Sequence, residues 1–201
     1  RGGMVLVGRD SENTLGKVAP KSGRLKNWSE LLDSAVFPGS IGGPLMHVIA
    51  AKAVSFGEAL HPSFKDYQIQ VLKNMQAMAK RLKELGYKLV SDGTVNHLIL
   101  VDLRSKGLNG KFAEEVLEKA QITVNKNMVP FDTESPFVTS GIRIGSPAMT
   151  TRGLKEAEFT RIAELIDLTL SNPTNDDILY KVGSEVNEIC TKYPLYNFVT
   201  V

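Results

Sequence analysis

Hydrophobic residues recur at helical spacing most regularly between residues 63 and 86. Ser63 suits a helix N-cap and Gly86 suits a helix end. Between them, apolar side chains three or four residues apart form one stripe over about six turns. These side chains are Phe64, Tyr67, Val71, Met75, Met78, Leu82 and Leu85. The pattern predicts a long amphipathic helix packed on a core.

Other apolar runs predict strands at 4–7, 87–91, 95–103, 122–125 and 138–145, with Asp92-Gly93 as a hairpin turn between the second and third. Because residues 98–101 are all apolar, we expect their strand to be covered on both faces. Further helices are expected from Ser29, from Pro44 to about residue 60, after Asn109-Gly110, from a threonine cap at 150–151, and over 176–192.

From residue 63 onwards, the predicted order is helix, two strands, helix, two strands and two helices. Helices gathered against one face of a sheet are typical of a two-layer α+β domain. Residues 1–62 do not close as a unit, since the strand at 4–7 has almost nothing before it. We therefore expect 1–62 to be the end of a larger domain and 63–201 to be a small C-terminal domain. Residues 8–28 lack periodicity and are interpreted as an insertion, either a functional loop or a solvated, disordered one.

Composition is that of a soluble globular protein, with 201 residues, 42% hydrophobic and 23% charged. The net charge of +2 is too small to indicate nucleic acid or an anionic membrane, although basic residues within 8–28 leave nucleic-acid binding as an outside alternative. No apolar stretch reaches membrane-spanning length. The single cysteine, Cys190, excludes an internal disulfide and fits a reducing compartment, so we expect a cytoplasmic protein.

Arg143 is the first candidate for a functional role. It stands between Ile142 and Ile144 in a predicted strand, so the isoleucines would face a core and the arginine the opposite side. Glycines on both sides of this triplet would leave room for a ligand. A guanidinium binds a carboxylate through two parallel hydrogen bonds. The pattern indicates a carboxylate site, with an ordinary surface arginine as the alternative.

Two loops offer further candidates. Gly42 and Gly43 precede a predicted helix start, where backbone N–H groups can bind a phosphate, although an ordinary tight turn is equally consistent. Residues 125–137 combine amides, a hydroxyl and an aromatic ring, which suits a flat heteroaromatic ligand but also ordinary turns. The three histidines of the chain show no metal-ligand spacing.

Several long segments of the chain resemble serine hydroxymethyltransferase. In chain order they are RGGMVLV, NWSELLDSAVFPGSIGGPLMHVIAAKAV, DGTVNHLILVDL, ITVNKNMVPFDTESPFVTSGIRIGSPAMTTRG and ICTKYPLY. They cover nearly the whole chain apart from residues 8–26. Long collinear matches are a specific signal, unlike the short motifs described above.

The resemblance implies a type I pyridoxal-phosphate (PLP) transferase fold, with a large cofactor domain and a small C-terminal α+β domain. It implies interconversion of serine plus tetrahydrofolate with glycine plus methylenetetrahydrofolate. It also implies a homodimer with active sites shared between subunits, and a cofactor lysine a few residues before Arg1. The chain by itself is therefore expected to be inactive. The alternatives are another type I PLP enzyme, such as an aminotransferase or acyltransferase, and a non-catalytic module or assembly partner.

The resemblance further implies roles for single residues. Arg143 matches the arginine that binds the substrate carboxylate. Gly42 and Gly43 match glycines near the cofactor phosphate of the neighbouring subunit, although Ile41 stands where a polar residue is expected. Arg1 matches the arginine that follows the cofactor lysine. The folate contacts correspond to Asn127, Ser135, Pro136 and Phe137.

Overall fold

The computed structural model describes residues 2–195 and divides into two compact units, Arg1–Phe64 and Lys65–Val201. The division expected from the sequence, after residue 62, falls two residues earlier. The elements in chain order are α1 (Trp28–Val36), α2 (Met46–Leu60), α3 (Ser63–Glu84), β1 (Lys88–Leu89), β2 (Leu98–Asp102), α4 (Gly110–Lys119), β3 (Asn125–Asn127), β4 (Gly141–Gly145), α5 (Pro147–Thr151), α6 (Glu156–Ser171) and α7 (Asp176–Lys192).

The second unit is built on a four-stranded antiparallel sheet with strand order β1-β2-β4-β3. Ile99, Val101 and Ile142 are each 1% exposed on one face of it. They share a hydrophobic cluster with buried side chains of α3, α4 and α6. Burial of these apolar surfaces supplies the main favourable free energy of folding. The second unit is thus a mixed α/β structure in which helices pack on one face of a small sheet.

Helix α3 has the extent that its apolar stripe predicts, and Val71, Met75, Met78 and Leu82 are fully buried along it. The stripe also contains a polar residue that the pattern does not reveal. Asn74 is 0% exposed, and its amide donates to Thr150 Oγ1 at 2.8 Å and to the Leu154 carbonyl at 2.9 Å. Because a buried amide is costly unless it is hydrogen-bonded, these bonds of Asn74 fix how α3 packs against α5.

No helix in residues 2–195 is long and apolar enough to cross a bilayer.

The strand predictions were wrong at several ends. β1 stops at Leu89, and Ser91 and Asp92 adopt left-handed conformations with φ of 60° and 55° in a short 3₁₀ turn, so no two-residue hairpin forms there. β3 begins at Asn125, where the expected strand ends. β4 begins at Gly141 rather than at 138, because Thr139 has a φ of 59° that no strand residue adopts.

The covering of β2 also differs from the prediction. Ile99 and Val101 are buried, whereas Leu98 and Leu100 are only half-buried, so one face of the strand is fully covered in this chain.

The prediction that a threonine at 150–151 caps the start of a helix is also wrong. Thr150 and Thr151 end α5, and α6 begins later at Glu156, where the Glu158 carboxylate accepts a hydrogen bond from the Lys155 N–H.

In the first unit, residues 4–7 are exposed and form no strand, because no other described segment pairs with them. Residues 8–28 form a defined, largely exposed loop and not a disordered segment, and the interpretation of this loop as an insertion stays a prediction. Two antiparallel bridges, Glu12 to Asn27 and Val18 to Leu25, close the segment. Asn13 lies inside it at 3% exposure. This loop leads directly into α1, where the Asp10 carboxylate accepts hydrogen bonds from the N–H and hydroxyl of Ser29.

Candidate functional site

The β3–β4 hairpin carries the arginine singled out in the sequence. On β4, Ile142 is buried and Ile144 packs partly against the core, whereas Arg143 is exposed. Arg143 lies opposite Leu100 on β2 and opposite Asn125 on β3. Residues paired in this way project from the same face of a sheet. The guanidinium therefore belongs to the face of the sheet that the helices leave uncovered.

Arg143 differs from the other arginines of the second unit in having no side-chain partner among the described residues. Arg104 binds Asp102, Arg161 binds Glu164 and Glu185, Arg81 binds Glu84 and Glu164, and Arg152 donates to the carbonyls of Tyr193 and Cys190. None of the hydrogen bonds or ion pairs found within residues 2–195 uses the Arg143 side chain. Its planar set of donors is available to a ligand.

The two glycines that flank this triplet differ in their surroundings. A Cβ on Gly145 would meet only ordinary contacts, the nearest being the His97 carbonyl oxygen at 3.5 Å. A Cβ on Gly141 would lie 2.6 Å from the Val101 carbonyl oxygen and 2.7 Å from Val129 Cγ1. The expectation that both glycines leave room for a ligand is therefore wrong for Gly141, which is needed for close packing inside the protein.

The loop between β3 and β4 is organised by a carboxylate that sequence reasoning missed. Oδ1 of Asp132 accepts from the Ser140 hydroxyl at 2.6 Å and from the Glu134 N–H at 2.9 Å. Oδ2 accepts from the N–H groups of Val129 at 3.1 Å and Ser140 at 2.9 Å. Partial burial acts to raise the pKa of the Asp132 carboxyl, but these hydrogen bonds outweigh it and hold the pKa below its ordinary range. An aspartate followed by serines is common in loops, so nothing in the sequence indicated that Asp132 binds the two ends of this loop.

The remaining candidates of the second unit lie on this same hairpin. Asn127 is opposite Gly141, two residues from the Asn125–Arg143 pair, and so belongs to the same face as Arg143. Its amide donates to the Met128 carbonyl at 2.7 Å. Ser135, Pro136 and Phe137 are exposed on the connecting loop, with Phe137 83% exposed. The hairpin thus combines an uncommitted guanidinium, an amide and an exposed aromatic ring.

A cavity of about 440 Å³ lies beside β3 and β4, next to Asn125 and residues 143–145. Arg143, Asn125 and Arg152 contribute to its lining, but most of the lining is aliphatic and belongs to the core. Such a lining suits apolar atoms better than the charged groups of a free amino acid. The uncovered face of the hairpin is therefore the better candidate for a polar ligand.

In the first unit, Gly42 and Gly43 lie exposed just before α2. A Cβ on either glycine would meet nothing within 4 Å, so the space beside their backbone is open. Among the backbone hydrogen bonds within the described residues, none has the N–H of Gly42 or Gly43 as its donor. By contrast, Gly39 is sterically required, because its Cβ would lie 2.6 Å from the Ala35 carbonyl oxygen. That requirement has no sequence signal beyond the glycine itself.

This segment suits an anion on chemical grounds. Free backbone N–H groups next to a helix N-terminus favour phosphate. No acidic residue occurs between Asp33 and Glu58, so nothing in the segment repels a negative charge. Of the other residues considered for the cofactor, Arg1 lies outside the described residues. Among the lysines of residues 8–28, Lys17 and Lys21 are exposed and Lys26 is half-buried, so none of them lies in the enclosed pocket that a Schiff-base lysine occupies.

Within residues 2–195, no group of His, Cys, Asp and Glu side chains is arranged to hold a metal ion. In a comparison with known protein families, residues 1–166 match the model described as serine hydroxymethyltransferase. The match includes every candidate residue in both units.

Proposed function

The chain belongs to the serine hydroxymethyltransferase family, and on this premise we propose that the complete protein interconverts serine plus tetrahydrofolate with glycine plus methylenetetrahydrofolate. The family is one of PLP-dependent transferases that interconvert serine and glycine with a folate co-substrate. When bound, PLP supplies an electron sink that allows a bond to the α-carbon of the amino acid to break. The protein's part is to bind and orient the reactants around it.

In this proposal Arg143 binds the carboxylate of the amino acid. The observation that carries the proposal is its uncommitted guanidinium on the uncovered face of the sheet, held by a strand whose neighbouring isoleucines point into the core. The strand fixes the position of the Arg143 backbone, and two parallel hydrogen bonds from the guanidinium would fix the orientation of the carboxylate. Orientation of the carboxylate determines which bond at the α-carbon is presented to the cofactor.

Gly42 and Gly43 are proposed to donate backbone hydrogen bonds to the cofactor phosphate. Their open surroundings and unused N–H groups support this role. We also propose that the protein is a homodimer with active sites shared between the subunits. The phosphate bound by Gly42 and Gly43 would then belong to the cofactor of the neighbouring subunit. Arg1 is proposed to support the cofactor, as the family resemblance implies.

Asn127, Ser135, Pro136 and Phe137 are proposed to bind the folate. An exposed aromatic ring next to amide and hydroxyl groups is chemically suited to a flat heterocycle. Their location on the hairpin of Arg143 would bring the one-carbon acceptor close to the amino acid. We further propose that the protein acts in the cytoplasm.

The direct test is to supply the complete protein with PLP, serine and tetrahydrofolate and to measure the formation of glycine. We expect Arg143→Ala to raise the KM for serine at least about tenfold, because hydrogen bonds to a charged group are lost. Arg161→Ala is the matched control, since that arginine binds Glu164 and Glu185 instead. An unchanged KM and kcat for serine in Arg143→Ala would refute the carboxylate role. Turnover that does not require folate would favour another type I PLP enzyme.

A further inference from the structure

The Asp132 carboxylate binds the β3–β4 loop at three separated points. Val129 lies two residues beyond the end of β3, Ser140 directly precedes β4, and Glu134 lies between them. Within the described residues, 2–195, all hydrogen-bond donors to this carboxylate come from the loop itself. One side chain therefore closes the loop and joins its two ends.

The backbone of the same loop adopts conformations that bulky side chains disfavour. Phe131 and Thr139 have φ values of 56° and 59°. Left-handed backbone at a phenylalanine or a β-branched residue persists only where surrounding contacts impose it. Phe131 precedes Asp132 and Thr139 precedes Ser140, so both strained residues adjoin a hydrogen bond to the carboxylate. The strained loop leaves Phe131 96% exposed and Phe137 83% exposed.

We propose that Asp132 is a positioning residue that holds the β3–β4 loop in its folate-binding conformation before the ligand arrives. This inference rests on the proposed function and extends it to a residue that is not among the proposed folate contacts. A flexible loop would have to be ordered when folate binds, and that ordering would subtract from the affinity. The carboxylate removes this cost by fixing the loop during folding. The amino-acid side of the site, built on the β4 strand, does not depend on it.

Asp132→Asn is the informative substitution, because it preserves size and removes one acceptor. If the asparagine NH₂ occupies the position of Oδ2, it faces the N–H groups of Val129 and Ser140. If it occupies the position of Oδ1, it faces the N–H of Glu134. Either orientation sets donor against donor and loosens the loop. Ser140→Ala is the milder variant, since it removes only the hydroxyl donor.

In the complete enzyme we expect Asp132→Asn to raise the KM for tetrahydrofolate about tenfold while the KM for serine changes less than about twofold. Ser140→Ala should act in the same direction by about threefold. Glu134→Gln is the matched control, because it also removes a negative charge from this loop. The Glu134 side chain is exposed and has no partner in residues 2–195, and only its backbone N–H binds Asp132. This substitution should leave both constants unchanged.

Two further measurements separate positioning from general destabilisation. Calorimetric binding of a reduced folate should weaken in Asp132→Asn by the factor seen in KM, and the amides of Val129, Glu134 and Ser140 should exchange faster while those of β2 do not. If the KM values for serine and tetrahydrofolate changed equally, or if neither changed in Asp132→Asn or Ser140→Ala, the positioning role alone would be overturned. Absence of folate-dependent turnover in the unaltered enzyme would instead overturn the proposed function together with it.

Discussion

Arg143 and Asn125 lie directly opposite each other across β4 and β3. Directly opposite residues of an antiparallel pair project from the same face, with Cβ atoms about 5 Å apart. The pair thus places an amide beside a guanidinium that has no acceptor among the described residues. A ligand bound by Arg143 on this face would therefore also be next to Asn125.

Replacing Arg143 by lysine tests whether the planar guanidinium matters and not only its charge. An ammonium cannot form two parallel hydrogen bonds to a carboxylate, so we expect kcat/KM for serine to fall at least about tenfold in Arg143→Lys. The free energy of unfolding should stay within about 0.5 kcal/mol, because the exposed side chain has no partner within residues 2–195 to lose. Steady-state kinetics and urea unfolding measure the two quantities. A lysine variant as active as the original would show that charge alone suffices.

Gly110 is predicted to be intolerant of any side chain. A Cβ there would collide with Thr139 Oγ1 and the Gly141 carbonyl oxygen, where α4 begins against the hairpin. We expect Gly110→Ala to lower the free energy of unfolding by about 3 kcal/mol, since backbone must move. Gly183→Ala, inside α7, is the control, because its Cβ would meet only ordinary contacts and alanine favours helix, with a gain of up to about 1 kcal/mol. Equal effects of the two changes in urea unfolding would contradict the packing argument.

The Asp102 carboxyl should make folding stability depend on pH in the acid range. Hydrogen bonding from Arg104 lowers the pKa of this 3%-exposed group below its ordinary value of 3.8, against the opposing effect of burial. Because the folded state releases the proton more readily, the stabilisation is complete above 3.8 and is lost as pH falls through the lowered folded pKa. Asp102→Asn should therefore be less stable than the original at pH 7, and the difference should shrink towards pH 3. Urea midpoints across this range test it, and a constant difference would exclude the linkage.

Asn13 is predicted to hold the loop of residues 8–28 together. Its amide donates to the carbonyls of Lys17 and Lys26, and its carbonyl accepts from the N–H groups of Leu15 and Lys17. Asn13→Ala leaves the N–H groups of Leu15 and Lys17 unpaired and removes one of the two donors to each of the two carbonyls. Trypsin should therefore cut the loop at least about tenfold faster. Thr14→Ala is the matched control at an exposed neighbour. Mass spectrometry of the fragments identifies the cleavage sites, and equal cleavage of both variants would contradict the role of Asn13.

Local patterns predicted much of the second unit, because they depend on neighbouring residues alone. The stripe of α3, the extent of α7 and the alternation of Ile142, Arg143 and Ile144 all follow from side-chain period. Strand ends were predicted less well. The left-handed backbone at Ser91 and Thr139 has no counterpart in the hydrophobic pattern, and residues 4–7 could form a strand only with a pairing segment.

The sequence by itself determined the family, the periodic elements and the orientation of Arg143, since each is written in residue order and spacing. Only the tertiary structure showed that Arg143 lacks a partner in the described part of the chain, that Gly141 is a packing glycine, and that Asp132 joins the ends of its loop. The physical reason is that hydrogen bonds and steric contacts depend on distances between residues far apart in the chain. Those distances exist only after the sheet has paired and the helices have packed on it.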